Sequence, residues 1–216
     1  MTSPSSSQSE GYHGQAEATS HGSDLNAMAF VFQMLMGKVR TAMLVKVKAV
    51  TNSGGVSPVG TVDVQPMVNQ VDGAGKAVAH GTVYEIPYFR LQGGANAVIL
   101  DPQVGDIGVA IFADRDISAV KASKAISNPG SFRRFDMADG LYMGGFLNGT
   151  PSQYVQFSSA GIKLHSPTAI ILDAPDIQIN GATAITGGLT NNGVNVGSTH
   201  THGGVQTGSG NTGTPS

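Results

Sequence analysis

The spacing of apolar residues along the chain changes three times, and each change marks a different kind of structure. Residues 1–23 (MTSPSSSQSEGYHGQAEATSHGS) are small and polar, with too little apolar surface to pack, and predict a mobile tail. From 24 to 40, Leu25, Met28, Ala29, Phe32, Leu35, Met36 and Val39 recur at spacings of three and four, the signature of one helical face. Ser23 or Asp24 is placed to cap the first turn. Such a helix either packs on its own domain or docks on another protein. Its Met- and Phe-rich surface suits both.

Residues 41–149 read as short strands broken by Gly, Pro and Asn. Residues 44–50 alternate with period two and run into Asn52-Ser53-Gly54-Gly55, a turn. Residues 61–68, 80–91, 97–100 and 107–112 are further strand candidates, and Pro87 points to an edge or a bend. The segment 101–106 between the last two reads as a turn. Five short strands in about a hundred residues fit a small barrel of the OB-fold type.

In residues 150–197 the pattern changes again. Val155/Phe157, Ile162/Leu164, Ile170/Leu172 and Ile177/Ile179 form pairs, followed by Ile185, Leu189 and Val194/Val196, with Gly, Pro or Asn between them. Each pair predicts one very short strand with two inward side chains and a tight corner. Such a strand cannot bury its inner face alone, so the repeats must stack. The segment is too short for a stable single-chain solenoid of several turns. Three chains wound around one axis would each supply one face of a β-helical prism, and that intertwined trimer is the expected shaft.

Composition narrows the picture. Charged residues are 12% of the chain, about half the usual share, so part of the surface is expected to be covered by other subunits. The net charge of −2 lacks the basic footprint of a nucleic-acid binder. There is no cysteine, so stability must come from packing, assembly or a metal held by other ligands. The longest strongly apolar stretch, 27–36, is short of the ~20 residues of a membrane span and has no basic segment before it. No secretory signal is therefore expected, and the protein should leave its producing cell by lysis or with a machine.

Thr199-His200-Thr201-His202-Gly203-Gly204 is the constellation that points to chemistry. In an extended chain residues i and i+2 project to the same side, so His200 and His202 would point together. Around a threefold axis, three such pairs give six imidazoles, an octahedral set suited to Fe(II), Ni(II) or another first-row ion rather than to four-coordinate structural zinc. Saturated in this way, the site would be structural. The competing reading is a disordered polar segment, and the motif alone does not decide between them. Catalytic zinc is disfavoured because residues 203–216 contain no His, Asp, Glu or Cys.

Other candidates are weaker. Asp114-Arg115-Asp116 reads as a charged loop rather than a catalytic acid cluster. Gly73-Ala74-Gly75-Lys76 lacks the spacing of a phosphate loop and reads as a hairpin tip. His80 reads as an ordinary barrel residue. Lys121, Lys124, Arg133 and Arg134, with Phe132 and Phe135 among them, suit an intersubunit or partner contact better than single-stranded nucleic acid. No Ser/His/Asp or paired-carboxylate arrangement can be assembled from spacing, so neither an enzyme nor a small-molecule substrate is expected.

Several motifs together resemble one family. They are Pro66-Met67-Val68-Asn69-Gln70, His80-Gly81 leading to Ile86-Pro87-Tyr88-Phe89-Arg90-Leu91-Gln92-Gly93-Gly94, and Ile99-Leu100-Asp101-Pro102-Gln103-Val104-Gly105-Asp106-Ile107-Gly108. Phe112-Ala113-Asp114-Arg115-Asp116-Ile117 and Asp139-Gly140-Leu141-Tyr142-Met143-Gly144-Gly145-Phe146-Leu147-Asn148-Gly149 continue it. In these the chain resembles the baseplate central spikes of contractile-tailed bacteriophages, over most of residues 40–204. The resemblance implies a mainly β homotrimer. An OB-fold-like barrel (41–149) would sit on the tail hub, and on the docking reading given above the helix (24–40) would be a further contact there. A trimeric β-helix shaft (150–197) would lead to an apex (198–216) where His200 and His202 of each chain bind one iron ion. It implies mechanical piercing of the host outer membrane by a virion protein made in the host cytoplasm. The Gly/Thr/Ser-rich residues after His202 stand apart from the family pattern and either fold over the tip or trail from it. A tailocin or secretion-machine spike shares every feature named. A trimeric receptor-binding fibre would need an aromatic groove, for which 150–216 offers only Tyr154 and Phe157.

Overall fold

A computed structural model describes residues 22–72, 76–201, 204 and 208. The tail 1–21, the hairpin tip 73–75, His202 and most of the stretch 203–216 lie outside the described residues. The chain divides into two units, 1–150 and 151–216.

Helix α1 (Asp24–Met36) opens the first unit. Ser23 is extended and its Oγ accepts the Asn26 amide at 3.2 Å, satisfying one of the helix's open donors. The helix stops at Met36, short of residue 40. The amides of Lys38 and Val39 turn back to the Leu35 and Met36 carbonyls, tightening the chain into a turn at Gly37. None of its side chains is buried. The expectation that this helix packs its apolar face on its own domain is therefore corrected: Leu25, Met28, Phe32 and Leu35 stay exposed.

The strands of this unit are β1 (Ala42–Val50), β2 (Thr61–Pro66), β3 (Gln70–Val71), β4 (Ala77–Val78), β5 (Val83–Pro87), β6 (Gln92–Gly93), β7 (Asn96–Ala97), β8 (Ile107–Phe112) and β9 (Gly140–Gly144). Five of them form one sheet in the order β5-β2-β1-β8-β9, with every ladder antiparallel. Pro87 ends edge strand β5, where its missing N–H costs no ladder bond. Irregularities between Val47 and Ala49 and between Val62 and Val64 bend β1 and β2, as bulges do by adding local twist. The sheet curls until its two edges meet. Tyr88, just past β5, bridges in parallel to Tyr142 of β9, and the Phe89 amide donates to the Tyr142 carbonyl at 2.8 Å.

Period-two alternation sends one side of each strand inward. Val45, Val47, Val62, Val64, Val83, Ile86, Ala110, Phe112 and Tyr142 fill the interior with Tyr88, each fully buried Val or Ile contributing roughly 1.5–3 kcal/mol relative to exposure. Two strand expectations need correction. Residues 98–100 join no strand, and only Asn96–Ala97 pairs, in a two-residue ladder with β6. The fifth strand is β9, which the sequence pattern did not mark. Between β8 and β9 lie a short helix α2 (Ser118–Ser123) and a 3-10 turn at Met137–Asp139.

In the second unit β10 (Tyr154–Ser158) pairs with β11 (Gly161–His165), and β12 (Thr190–Asn191) pairs with β13 (Val194–Asn195). Asn192 and Gly193 both have positive φ, 48° and 79°, as a two-residue type I′ hairpin requires. Residues 166–189 form no strand within one chain.

Candidate functional site

The second unit is a surface without an interior. Val155, Phe157, Ile162, Leu164, Ile170, Leu172, Ile177, Ile179, Ile185, Leu189, Val194 and Val196 are all exposed, and none of its described residues is buried. Where pairing exists it is local: Tyr154 stacks on His165 with ring centroids 5.0 Å apart, and the Lys163 ammonium lies 5.8 Å from the Tyr154 ring. An apolar face of this extent, on a segment whose backbone between 166 and 189 lacks a strand partner, is incomplete as a single chain.

The described part of the C-terminal segment ends in a tight turn. Asn195 Oδ1 accepts the Gly197 amide at 2.9 Å, and Asn195 Nδ2 donates to Thr199 Oγ1 at 3.0 Å. The turn brings the His200 amide to the Gly197 carbonyl at 3.1 Å and His200 Nδ1 to the same oxygen at 2.6 Å. A carbonyl can only accept, so Nδ1 carries the proton and the lone pair of the neutral ring lies on Nε2. Metal-ligating imidazoles are commonly oriented by this kind of second hydrogen bond. The donor chemistry of His200 therefore fits a metal ligand. His202 lies outside the described residues. Among the described residues of one chain, no group of three or more His, Cys, Asp or Glu could hold an ion.

The first unit carries a different kind of site. Asp116 and Asp139 are buried, and Arg133 bridges them. Its Nε donates to Asp139 Oδ2 at 2.7 Å, and its Nη2 reaches Asp116 Oδ1 and Asp139 Oδ1, both at 2.8 Å. Ser131 Oγ donates to Asp116 at 2.7 Å, and the Ile117 amide donates to Asp139 at 3.0 Å. Hydrogen bonds from Ser118 and Ser131 hold the Asp116 carboxyl down at about 2, and Arg133 holds Asp139 below the usual range. The cluster braces the excursion between β8 and β9. On that excursion Ile126 and Phe132 are fully exposed.

This geometry revises two readings. Of the Asp114-Arg115-Asp116 triplet, only the first two form an exposed surface pair, at 3.6 Å, while Asp116 is a buried anchor. Arg133 is committed to carboxylates, and Lys121 Nζ donates to the Glu85 carbonyl at 3.2 Å, so the basic stretch is less free than its composition implies. His80 is half-buried beside the barrel strands, its carbonyl accepting from Gln65 and its Nδ1 3.3 Å from Gln70 Nε2.

A second buried pair escaped the spacing argument. Arg90 Nη2 meets Asp101 Oδ1 at 2.5 Å, and the Tyr88 hydroxyl donates to the same oxygen at 2.7 Å. Asn52 donates to the Tyr88 hydroxyl at 2.8 Å, the Gly54 amide to Asp101 Oδ2 at 3.2 Å, and Arg90 Nη1 to the Ser57 carbonyl at 2.5 Å. Burial acts to raise the Asp101 carboxyl, but the Tyr88 and Arg90 bonds outweigh it and leave it below the usual range. These bonds fasten the loops around 52–58 and 101 to the chain leaving β5. An open groove of about 450 Å³, lined by Val50, Asn52, Leu100, Asp101 and Val104 among others, lies beside them. Its buried carboxylate is already fully engaged.

Comparison with known families gives two matches. Residues 56–145 match the family described as phage protein Gp138 N-terminal domain, and residues 198–216 match the GpV Apex motif. The second match contains His200 and His202 and runs through the Gly/Thr-rich stretch to the last residue, so that stretch is part of the motif rather than a departure from it. No curated protein matches the chain.

Proposed function

The two matches make this chain a phage baseplate central spike protein of the virion tail, and from that premise we propose that three copies form a spike that pierces the host outer membrane mechanically, without catalysis. One observation carries the reading. Every apolar pair from Val155 to Val196 is exposed in the single chain, and the stretch leads directly into the apex motif. Three chains wound together would bury those pairs against one another and give 166–189 the ladder partners it lacks.

At the N-terminal side the partly open five-stranded barrel is of OB-fold type and sits on the tail hub or baseplate. The exposed Ile126 and Phe132, on a segment braced by Arg133, supply a preorganised apolar contact for that partner. At the other end His200 and His202 from each chain hold one first-row metal ion, iron being the expected one. When bound, the ion cross-links three chain ends. The Nδ1 contact to the Gly197 carbonyl supports the role of His200, since second hydrogen bonds of this kind orient metal-ligating imidazoles. Six imidazoles leave no open position for water or substrate, which makes the site structural. Synthesis takes place in the host cytoplasm.

Native mass spectrometry of the purified protein tests chain count and metal together. The expected result is a trimer with one first-row metal ion per three chains, and loss of the ion with retention of the trimer in the His200→Ala/His202→Ala variant. A metal-free monomer would overturn the proposal, and a double variant that keeps its ion would overturn the apex assignment.

A further inference from the structure

The dipeptide Asn-Gly occurs at Asn148-Gly149, Asn180-Gly181 and Asn192-Gly193. It is the pair in which a backbone nitrogen reaches the preceding side-chain carbonyl most easily, because glycine puts no Cβ in the way. The fold treats the three differently. Asn148 is fastened: its Oδ1 accepts the Ile107 amide at 2.8 Å, which ties the side chain to the start of β8. Asn192 opens the turn between β12 and β13, with φ of 48° there and 79° at Gly193. A mirror-image turn fixes ψ as well as φ at its central residues, and this holds the Gly193 nitrogen out of line with the Asn192 side chain. Asn180 has neither restraint. It is exposed and outside any strand, and neither it nor Gly181 makes a hydrogen bond among the described residues. Gly181 has a φ of 145°, and a Cβ there would meet no neighbour within 4 Å. If three chains paired here as proposed above, alternation would still turn Asn180 away from the side of Ile177 and Ile179.

We infer that Asn180 is a site of self-modification, converting to aspartate and isoaspartate through a cyclic imide. The Gly181 nitrogen gives its proton to water and bonds to Asn180 Cγ. The side-chain nitrogen Nδ2 takes up a proton and departs as ammonia, closing a five-membered ring. A water molecule then opens that ring. Attack at Cγ leaves aspartate. Attack at the backbone carbonyl leaves isoaspartate, in which the chain runs through Cγ and is one methylene longer. Water is the co-reactant, and the chemistry lies within one chain and needs no second copy. Either product adds negative charge to the stretch 166–189, whose charged residues are Asp173 and Asp176, and no Lys or Arg follows Lys163 to balance it.

Ageing the full-length protein in warm, mildly alkaline buffer, with and without urea, tests this. A protease that cuts before aspartate releases a peptide beginning at Asp176. It cuts again at a new aspartate 180 and passes over isoaspartate, so mass spectrometry separates the two products, and fragment masses assign each conversion to its residue. In the folded protein Asn180 is expected to convert several-fold faster than Asn148 and Asn192. In urea the three rates should converge, since the dipeptide is the same. Asn180→Gln cannot close the five-membered ring and should remove the leading conversion while leaving the other two. Equal rates in the folded protein, or an order led by Asn148 or Asn192, would overturn the inference. A lead for Asn180 that persisted unchanged in urea would overturn it too, by tracing the difference to neighbouring residues and not to the fold.

Discussion

In the first unit Val45, Val64, Ile86 and Tyr142 are sealed in a curled sheet, whereas from residue 151 onward no described side chain is buried at all. Both regions are rich in Val and Ile, so composition does not separate them. The difference is how many strands return to one sheet, five in the barrel and two in each ladder of the second unit. In the barrel, strands of five to nine residues find sheet partners within one chain, and alternate positions are enough to close a core. In the second unit the chain turns every seven or eight residues, too soon to build a second layer over the first. One region carries its stability with it, and under the trimer proposed above the other would acquire it on assembly.

The sharpest way to break this comparison is to charge the face that only assembly would bury. Ile177→Asp or Ile162→Asp is expected to abolish the trimer outright, because three carboxylates would meet in an interior with no cation to pair them. Size-exclusion chromatography with light scattering reads the change, and far-ultraviolet circular dichroism checks that the barrel signal remains. A variant that stays trimeric would show that the exposed pairs face something other than their copies.

The next effect falls in the barrel. Asp139 is fully buried and takes three hydrogen bonds, two from Arg133 and one from the Ile117 amide. Asp139→Ala leaves the guanidinium half-paired and should cost about 3 kcal/mol in urea unfolding of the first unit. Chain count should not change. If the trimer were lost as well, the two units would not be independent in stability.

How far the sequence carried this picture depends on the range of each interaction. The Ser23 cap and strands β1, β2 and β8 were legible because alternation and capping are local signals. The helix end was overrun by the heptad spacing, which continues to Val39 although the backbone turns at Gly37. Residues 98–100 are a short apolar run of strand-prone residues, yet Asp101 is drawn to Arg90, and Val98 and Leu100 stay exposed. Strand β9 was missed because its flanking glycines look like punctuation. Gly140 packs near Phe112 and Ile86, and Gly108 lies under the Tyr142 ring, where a Cβ would collide. That reason for glycine exists only once the strands are paired. Of the candidate site, the HxH spacing was legible, but the Nδ1–Gly197 bond that sets the His200 tautomer was not. The carboxylate pairs on Arg133 were hidden because charge alone does not tell a solvated residue from a buried one.

Acid should separate the units more gently. Asp116 sits at about 2, below the ordinary carboxyl value near 3.9. A depressed folded-state value means that its stabilisation is complete above about pH 4 and is lost as the pH falls toward 2. Asp101 and Asp139 are shifted in the same direction. The urea midpoint of the barrel is therefore expected to stay level from about pH 7 to 5 and to fall below about 4, with a shallower fall in Asp116→Asn. An equal slope in that variant would mean that Asp116 contributes nothing to the acid response.

The smallest effect tests whether the barrel is as self-contained as the comparison holds. The Tyr142 hydroxyl is buried without a hydrogen-bond partner among the described residues, and burial pushes its pKa up to about 12. Its ring lies against Gly108 and Gly144, a contact that phenylalanine would keep. An unpaired buried hydroxyl is a cost rather than a gain, so Tyr142→Phe should leave urea stability unchanged or raise it by up to about 1 kcal/mol. A loss of about 1 kcal/mol or more would mean that the hydroxyl is paired in the assembled protein. If that loss appeared in the trimer and vanished on dilution to the monomer, the partner would come from another copy, and the barrel too would be completed by assembly.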